Sequence, residues 1–169
     1  MASSVGKGNP PNSLRDYRKA FGQFSSKKTQ RLESLKPCEI EMDAQEDLAG
    51  GVHSIDFENG DVLIKQSGIY LIIACPQIGK VRGTTPRWID FWVRLNNVDV
   101  PNSNIKAVVM DPQEKTVVPL NSVLPLNRGD TLNIMMAVET LGEGLGIEAI
   151  EPDGEPTIPS IIVTLVQLD

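Results

Sequence analysis

Residues 62–74 read Val62-Leu63-Ile64-Lys65-Gln66-Ser67-Gly68-Ile69-Tyr70-Leu71-Ile72-Ile73-Ala74. A β-rich run crosses a polar Ser-Gly break and resumes with alternating side chains, which predicts strand, tight corner and core strand. Gly68 is expected to supply backbone freedom at the corner. Beyond it, Tyr70, Ile72 and Ala74 share one face while Ile69, Leu71 and Ile73 share the other. Both faces are apolar, so this strand is expected to lie in the middle of its sheet.

Working outward, most of the chain from Lys36 onward reads as short strands. Cys38, Ile40 and Met42 alternate with Glu39, Glu41 and Asp43, the pattern of an edge strand with one wet face. Val52 to Phe57 precedes Asn59-Gly60, a strong hairpin signal before Val62. Trp88 to Leu95 alternates Ile89, Phe91, Val93 and Leu95 against Trp88, Asp90, Trp92 and Arg94. Leu132, Ile134, Met136 and Val138 alternate in the same way. Ile161, Val163 and Leu165 oppose Ile162, Thr164 and Val166, a second strand with two apolar faces. Gly142 to Pro159, acidic and rich in Gly and Pro, reads as a long surface loop of the kind that carries recognition. With 12 Pro and 14 Gly punctuating 169 residues, the composition fits one all-β domain better than a helical bundle.

Val62, a five-residue spacer, Gly68, one residue and Tyr70 form an order that resembles the signature of the tumour necrosis factor-like and complement globular-head superfamily. Val62 stands where that signature usually carries Phe. Trp88 to Asn97 is similar to the family's strand ending in an Asn-rich turn, and Leu126-Asn127-Arg128-Gly129-Asp130 to its Gly-Asp turn into a strand. The resemblance runs over roughly residues 36–169. It implies a ten-stranded jelly roll assembled as a tight homotrimer, usually a binding or structural head and not an enzyme. Strands with two apolar faces need a second cover, which a trimer axis supplies. Tyr70, Ile72, Ile161, Val163 and Leu165 are expected at that trimer core.

Net charge is −6, unevenly spread. Residues 1–36 hold eight Lys/Arg against two Asp/Glu, leaving eight basic against twenty acidic residues in the remainder. Residues 1–35 therefore read as a basic arm and 36–169 as an acidic head. Met1 to Asn12 is too rich in Gly, Ser, Pro and Asn to pack. Ser13 then offers an N-cap, and Leu14, Tyr17, Phe21 and Phe24 recur at helical spacing, with Arg15, Arg18 and Lys19 on the other faces. This short amphipathic helix has two readings: it packs on the chain's own jelly roll, or it anchors the head to a larger particle. Basic residues interleaved with aromatics suggest nucleic acid only weakly, because the aromatics share one face.

Catalytic motifs are sparse. His53 is the single histidine, and the chain has no Gly-X-Ser-X-Gly elbow, His-Glu-X-X-His pair or phosphate-cradling loop. Calcium is the one cofactor with candidate ligands, Asp56, Glu58 and Asp61 around the hairpin or Asp153 and Glu155 in the late loop, although neither group has the spacing of a dedicated calcium loop. Some members of the family it resembles bind calcium. Arg128-Gly129-Asp130 is the integrin-recognised tripeptide, but its place at a turn explains it. Cys38 and Cys75 read as core thiols or as one disulfide. No run approaches a membrane span, and Met1 to Gly6 lacks the apolar core of a signal peptide, so synthesis in the cytoplasm is expected. The expectation is a non-enzymatic homotrimeric head carried on a capsid, fibre or similar particle, such as a virion decoration. The alternatives are a free soluble trimer that binds carbohydrate or protein through its loops, and a hydrolase on the same fold.

Overall fold

A computed structural model describes residues 19–45, 55–58 and 60–169. The strands are β1 (Phe21–Ser26), β2 (Gln30–Arg31), β3 (Cys38–Glu39), β4 (Ala44–Gln45), β5 (Ile55–Glu58), β6 (Asp61–Ile64), β7 (Gly68–Gly79), β8 (Arg87–Leu95), β9 (Val98–Asp99), β10 (Ile105–Val109), β11 (Thr116–Val117), β12 (Leu120–Leu126), β13 (Thr131–Val138), β14 (Gly146–Ile147) and β15 (Ile161–Gln167). Nine of these have four residues or more and carry the sandwich; the two-residue segments extend its edges. No helix occurs among the described residues.

Two antiparallel sheets face each other in the manner of a jelly roll. One runs β2-β14-β7-β15-β1-β4, with β11 and β12 on the far side of β7; the other runs β10-β8-β13-β6-β5, with β3 beside β13 and β9 beside β8. The chain passes from the second sheet to the first at the corner Lys65 to Ser67, between β6 and β7. Strand β7 is central as expected, with β12 along one side and β15 along the other. Tyr70, Ile72, Ala74, Ile161, Val163 and Leu165 are buried from the first sheet, and Phe91, Val93, Ile134 and Met136 meet them from the second. Burying each large apolar side chain contributes about 1.5–3 kcal/mol, which makes this interface the main source of stability.

Turn chemistry follows the sequence. Asn96 and Asn97 have φ of 51° and 63° between paired Leu95 and Val98, a two-residue turn that asparagine tolerates. Gly129 has φ 94°, and Asp130 Oδ2 accepts from Asn127 N at 2.7 Å, so Arg128-Gly129-Asp130 is a structural turn. Gly68 has an ordinary φ, contrary to the expected backbone role. It is needed because a Cβ there would lie 2.4 Å from Gln167 Nε2. That amide is fixed in place: Gln167 Oε1 accepts from Ala20 N and from Gln66 Nε2, both at 2.8 Å.

The N-terminal expectations change most. Phe21 and Phe24 lie in β1, which pairs with β15 from Phe21↔Val166 to Ser26↔Ile161. Alternation replaces helical spacing because pairing with an apolar strand buries Phe24 completely in the sandwich. The boundary expected after residue 35 therefore falls inside the head, which already includes β1. Lys19 is exposed and its Nζ bonds the Leu168 carbonyl. Leu14, Arg15, Tyr17 and Arg18 lie outside the described residues, as does His53. The long loop after Gly142 is likewise less open than expected: Leu145 and Ile147 are buried, β14 pairs with both β2 and β7, and only the turn closed by the Ile150–Ile158 bridge stands out.

Candidate functional site

The outer face of the β7 sheet is unlike an ordinary solvated surface. Cross-strand register aligns Val123, Leu71, Val166 and Phe21 in one row over β12, β7, β15 and β1. Paired residues point to the same face, so the row is continuous. Ile69 and Pro125 lie beside it, opposite each other. Ile69 is 42% exposed, Val123 56% and Val166 37%, a cluster of apolar side chains left in water by a single chain. A second row, Asn121, Ile73, Thr164 and Gln23, is mixed, and a third brings Cys75, Ile162 and Ser25 together.

Tyr70, Ile72, Ile161, Val163 and Leu165, expected to meet at a trimer axis, are fully buried within one chain. They point into the sandwich, since Phe24 and the β8 and β13 side chains already cover them. The alternation holds, but these five side chains line the interior of the sandwich and are not free to meet a second copy. Tyr70 also ties the corner down, donating from its hydroxyl to the Gln66 carbonyl at 2.7 Å. Burial, with the Asp169 carboxylate second, pushes its phenol pKa up.

At one end of the sandwich charged side chains interlock. Lys80 is fully buried; its Nζ donates to the Thr85 carbonyl at 2.7 Å and lies 3.4 Å from Glu143 Oε2. Glu143 Oε1 accepts from Arg87 Nε at 2.7 Å, and that hydrogen bond holds the Glu143 carboxyl below its usual range. Glu148 accepts from Arg31 Nη2 at 2.9 Å and pairs with Lys115. These pairs join β2, the start of β8, the residues just after β7 and β14, and the loops after β10 and β13. Each carboxylate is matched by a cation, the arrangement of a structural network and not of a free general base. The Arg31 pair, with Lys28 to Glu41 at 2.6 Å, also shows where part of the N-terminal basic charge goes: onto the acidic head itself.

The calcium candidates are separated. Asp56 pairs with Lys65 at 2.5 Å, Asp61 accepts from Asn133 Nδ2 at 2.6 Å, and Glu58 is exposed. Asp153 and Glu155 are exposed on the turn between Ile150 and Ile158. Among the described residues no three His, Cys, Asp or Glu side chains are grouped to hold a metal ion. Asp61 does line a cleft of about 220 Å³ with Glu39, Glu41 and Asn133, where Glu39 faces Arg94 and Glu41 faces Lys28. Cys38 and Cys75 are free and half-buried, one in each sheet; burial, then Glu39, raises the Cys38 thiol pKa.

No family model and no curated protein matches the chain. Among solved structures it is similar to the crystal structure of murine APRIL at pH 5.0, a tumour necrosis factor-family member. The two share 11% identity at a TM-score of 0.54, over 89% of this chain and 100% of that one. At that identity the likeness shows the fold, a tumour necrosis factor-like jelly roll.

Proposed function

We propose that the chain is a non-enzymatic head that assembles as a homotrimer through the outer face of the β7 sheet and is displayed on a larger particle, such as a virion decoration or head fibre. The row Val123, Leu71, Val166 and Phe21 carries the assembly reading. Two adjacent central strands are apolar on both faces, the sandwich covers only one, and a second copy is the cover the fold invites. Leu71→Glu would set a carboxylate in that row without touching the interior. Light scattering at micromolar concentration is expected to give a trimer for the native chain and a monomer for this variant. A native monomer overturns the assembly reading.

Display rests on charge. The segment ahead of β1 contains Lys7, Arg15 and Arg18, and the head is strongly acidic, a division that favours an acidic carrier surface for the arm. In its native cells the chain is expected to sediment with assembled particles. Sedimentation as a free trimer would favour the soluble recognition module instead.

A further inference from the structure

On the second sheet, facing away from the assembly row, β8 presents Trp88, Asp90 and Trp92 at every second position, hence on one face. Lys106 of the edge strand β10 stands opposite Asp90, and Ala137 of β13 stands on its other side. The Lys106 ammonium lies 3.6 Å above the centroid of Trp88 and 3.2 Å from Asp90 Oδ2. The other carboxylate oxygen, Asp90 Oδ1, is buried and has no hydrogen-bond partner. Trp92, two residues beyond Asp90 on the same face, is 8% exposed, and its buried indole N–H has no hydrogen-bond partner.

We propose that Trp88 and Asp90 form a receptor for a guanidinium group, an arginine side chain presented by a partner protein, and that Lys106 is a resident stand-in which the arginine displaces. An aromatic face beside a carboxylate is a cation site, and Lys106 already occupies it as one. An ammonium is a compact charge that reaches one carboxylate oxygen and leaves Oδ1 unpaired, which is costly in a buried position. A guanidinium is planar and carries paired donors. It stacks on Trp88 and spans Oδ1 and Oδ2 at once. One positive charge replaces another, so the exchange leaves no buried carboxylate uncompensated. Lys106 is exposed on an edge strand and is free to swing into water, which uncovers the carboxylate it now caps. A saccharide would also stack on Trp88, but it brings neutral hydroxyls and would use Lys106 as a donor.

That difference sets the test, which does not depend on the trimer because the site lies on the opposite sheet. The chain's two tryptophans are both here, so its tryptophan fluorescence, excited beyond the tyrosine band, reports on this face. Titration with N-acetyl-L-arginine amide is expected to saturate in the millimolar range, with the lysine amide roughly tenfold weaker, the loss expected when a fork becomes a point charge. Lys106→Met removes the competitor and is expected to tighten arginine binding several-fold, because the open site is then fully populated. Asp90→Asn is expected to lose at least tenfold. Melting curves confirm that both variants are folded, and Lys106→Gln repeats the test should the Met variant fail to fold. Equal binding of lysine and arginine amides, or weaker arginine binding without Lys106, overturns the proposal. Binding of methyl glycosides that needs Lys106 would assign the site to a saccharide.

Discussion

Gly146 packs directly beneath the carbonyl of Gln30: a Cβ on Gly146 would lie 2.1 Å from that oxygen, within the β14 to β2 pairing. The obstacle is backbone, so no side-chain rotation relieves it. Gly146→Ala is expected to destabilise the chain by roughly 2 kcal/mol or more, in the upper range for single substitutions. Urea melts of the two proteins measure this directly. Gly142→Ala is the control, because its Cβ would meet only Thr140 Oγ1 at 3.9 Å.

Alternation made the second half of the fold legible. Trp88 to Leu95 and Ile161 to Val166 announce their period in every residue, and both are the strands expected. Phe21 and Phe24 were ambiguous because a spacing of three puts them on one face of a helix but on opposite faces of a strand, and only the partner β15 decides between the two. The same limit applies to the assembly face. Tyr70 and Leu71 are adjacent and both apolar, and which one points inward depends on where the second sheet lies, a non-local fact. The Trp88, Asp90 and Lys106 group needed two strands brought into register, so no single stretch could show it.

Phe24 is an interior residue, which separates its expected phenotype from that of Phe21. Phe24→Ala is expected to cost about 3–5 kcal/mol, the range for emptying a buried aromatic site. Phe21→Ala leaves the interior intact and should act on oligomeric state. Chemical denaturation and light scattering on both variants test the assignment. Equal losses of stability would place Phe21 in the core as well.

Acid should weaken the charged end of the sandwich. The Arg87 hydrogen bond holds the folded-state Glu143 pKa below its unfolded value, so this pair stabilises the fold above the ordinary glutamate range and is lost as pH falls through the depressed value. From about pH 5 downward the native chain is therefore expected to lose stability faster than Glu143→Gln, which has no proton to take up. Melting temperature against pH gives the comparison. Parallel curves would mean that Glu143 is not the responsible group.

The two thiols should report assembly separately. Cys75 lies on the outer face of the β7 sheet beside Ile162, and Cys38 lies beside Met136 in the other sheet. With the trimer formed, Cys75 is expected to react slowly with a thiol reagent, and Leu71→Glu should accelerate it. Cys38, slowed by its raised pKa, should be indifferent to that substitution. Acceleration at both sites would point to general loosening and not to an opened interface.

The position of β1 changes what truncation does. Removing residues 1–18 takes away Lys7, Arg15 and Arg18 but leaves β1 paired to β15, with Ala20 N still bonded to Gln167 Oε1 at 2.8 Å. A folded trimeric head that no longer attaches to its carrier is therefore expected. Removing residues 1–35 deletes β1 and β2, uncovers the edge of β15 and empties the Phe24 site, at a cost of several kcal/mol from that ring alone. That shorter chain is expected to aggregate or to melt well below the longer one. Circular dichroism, light scattering and co-sedimentation with the carrier on both truncations separate the roles. If the 1–18 deletion attaches normally, the arm is not the anchor, and contact with the carrier must be sought on the head itself.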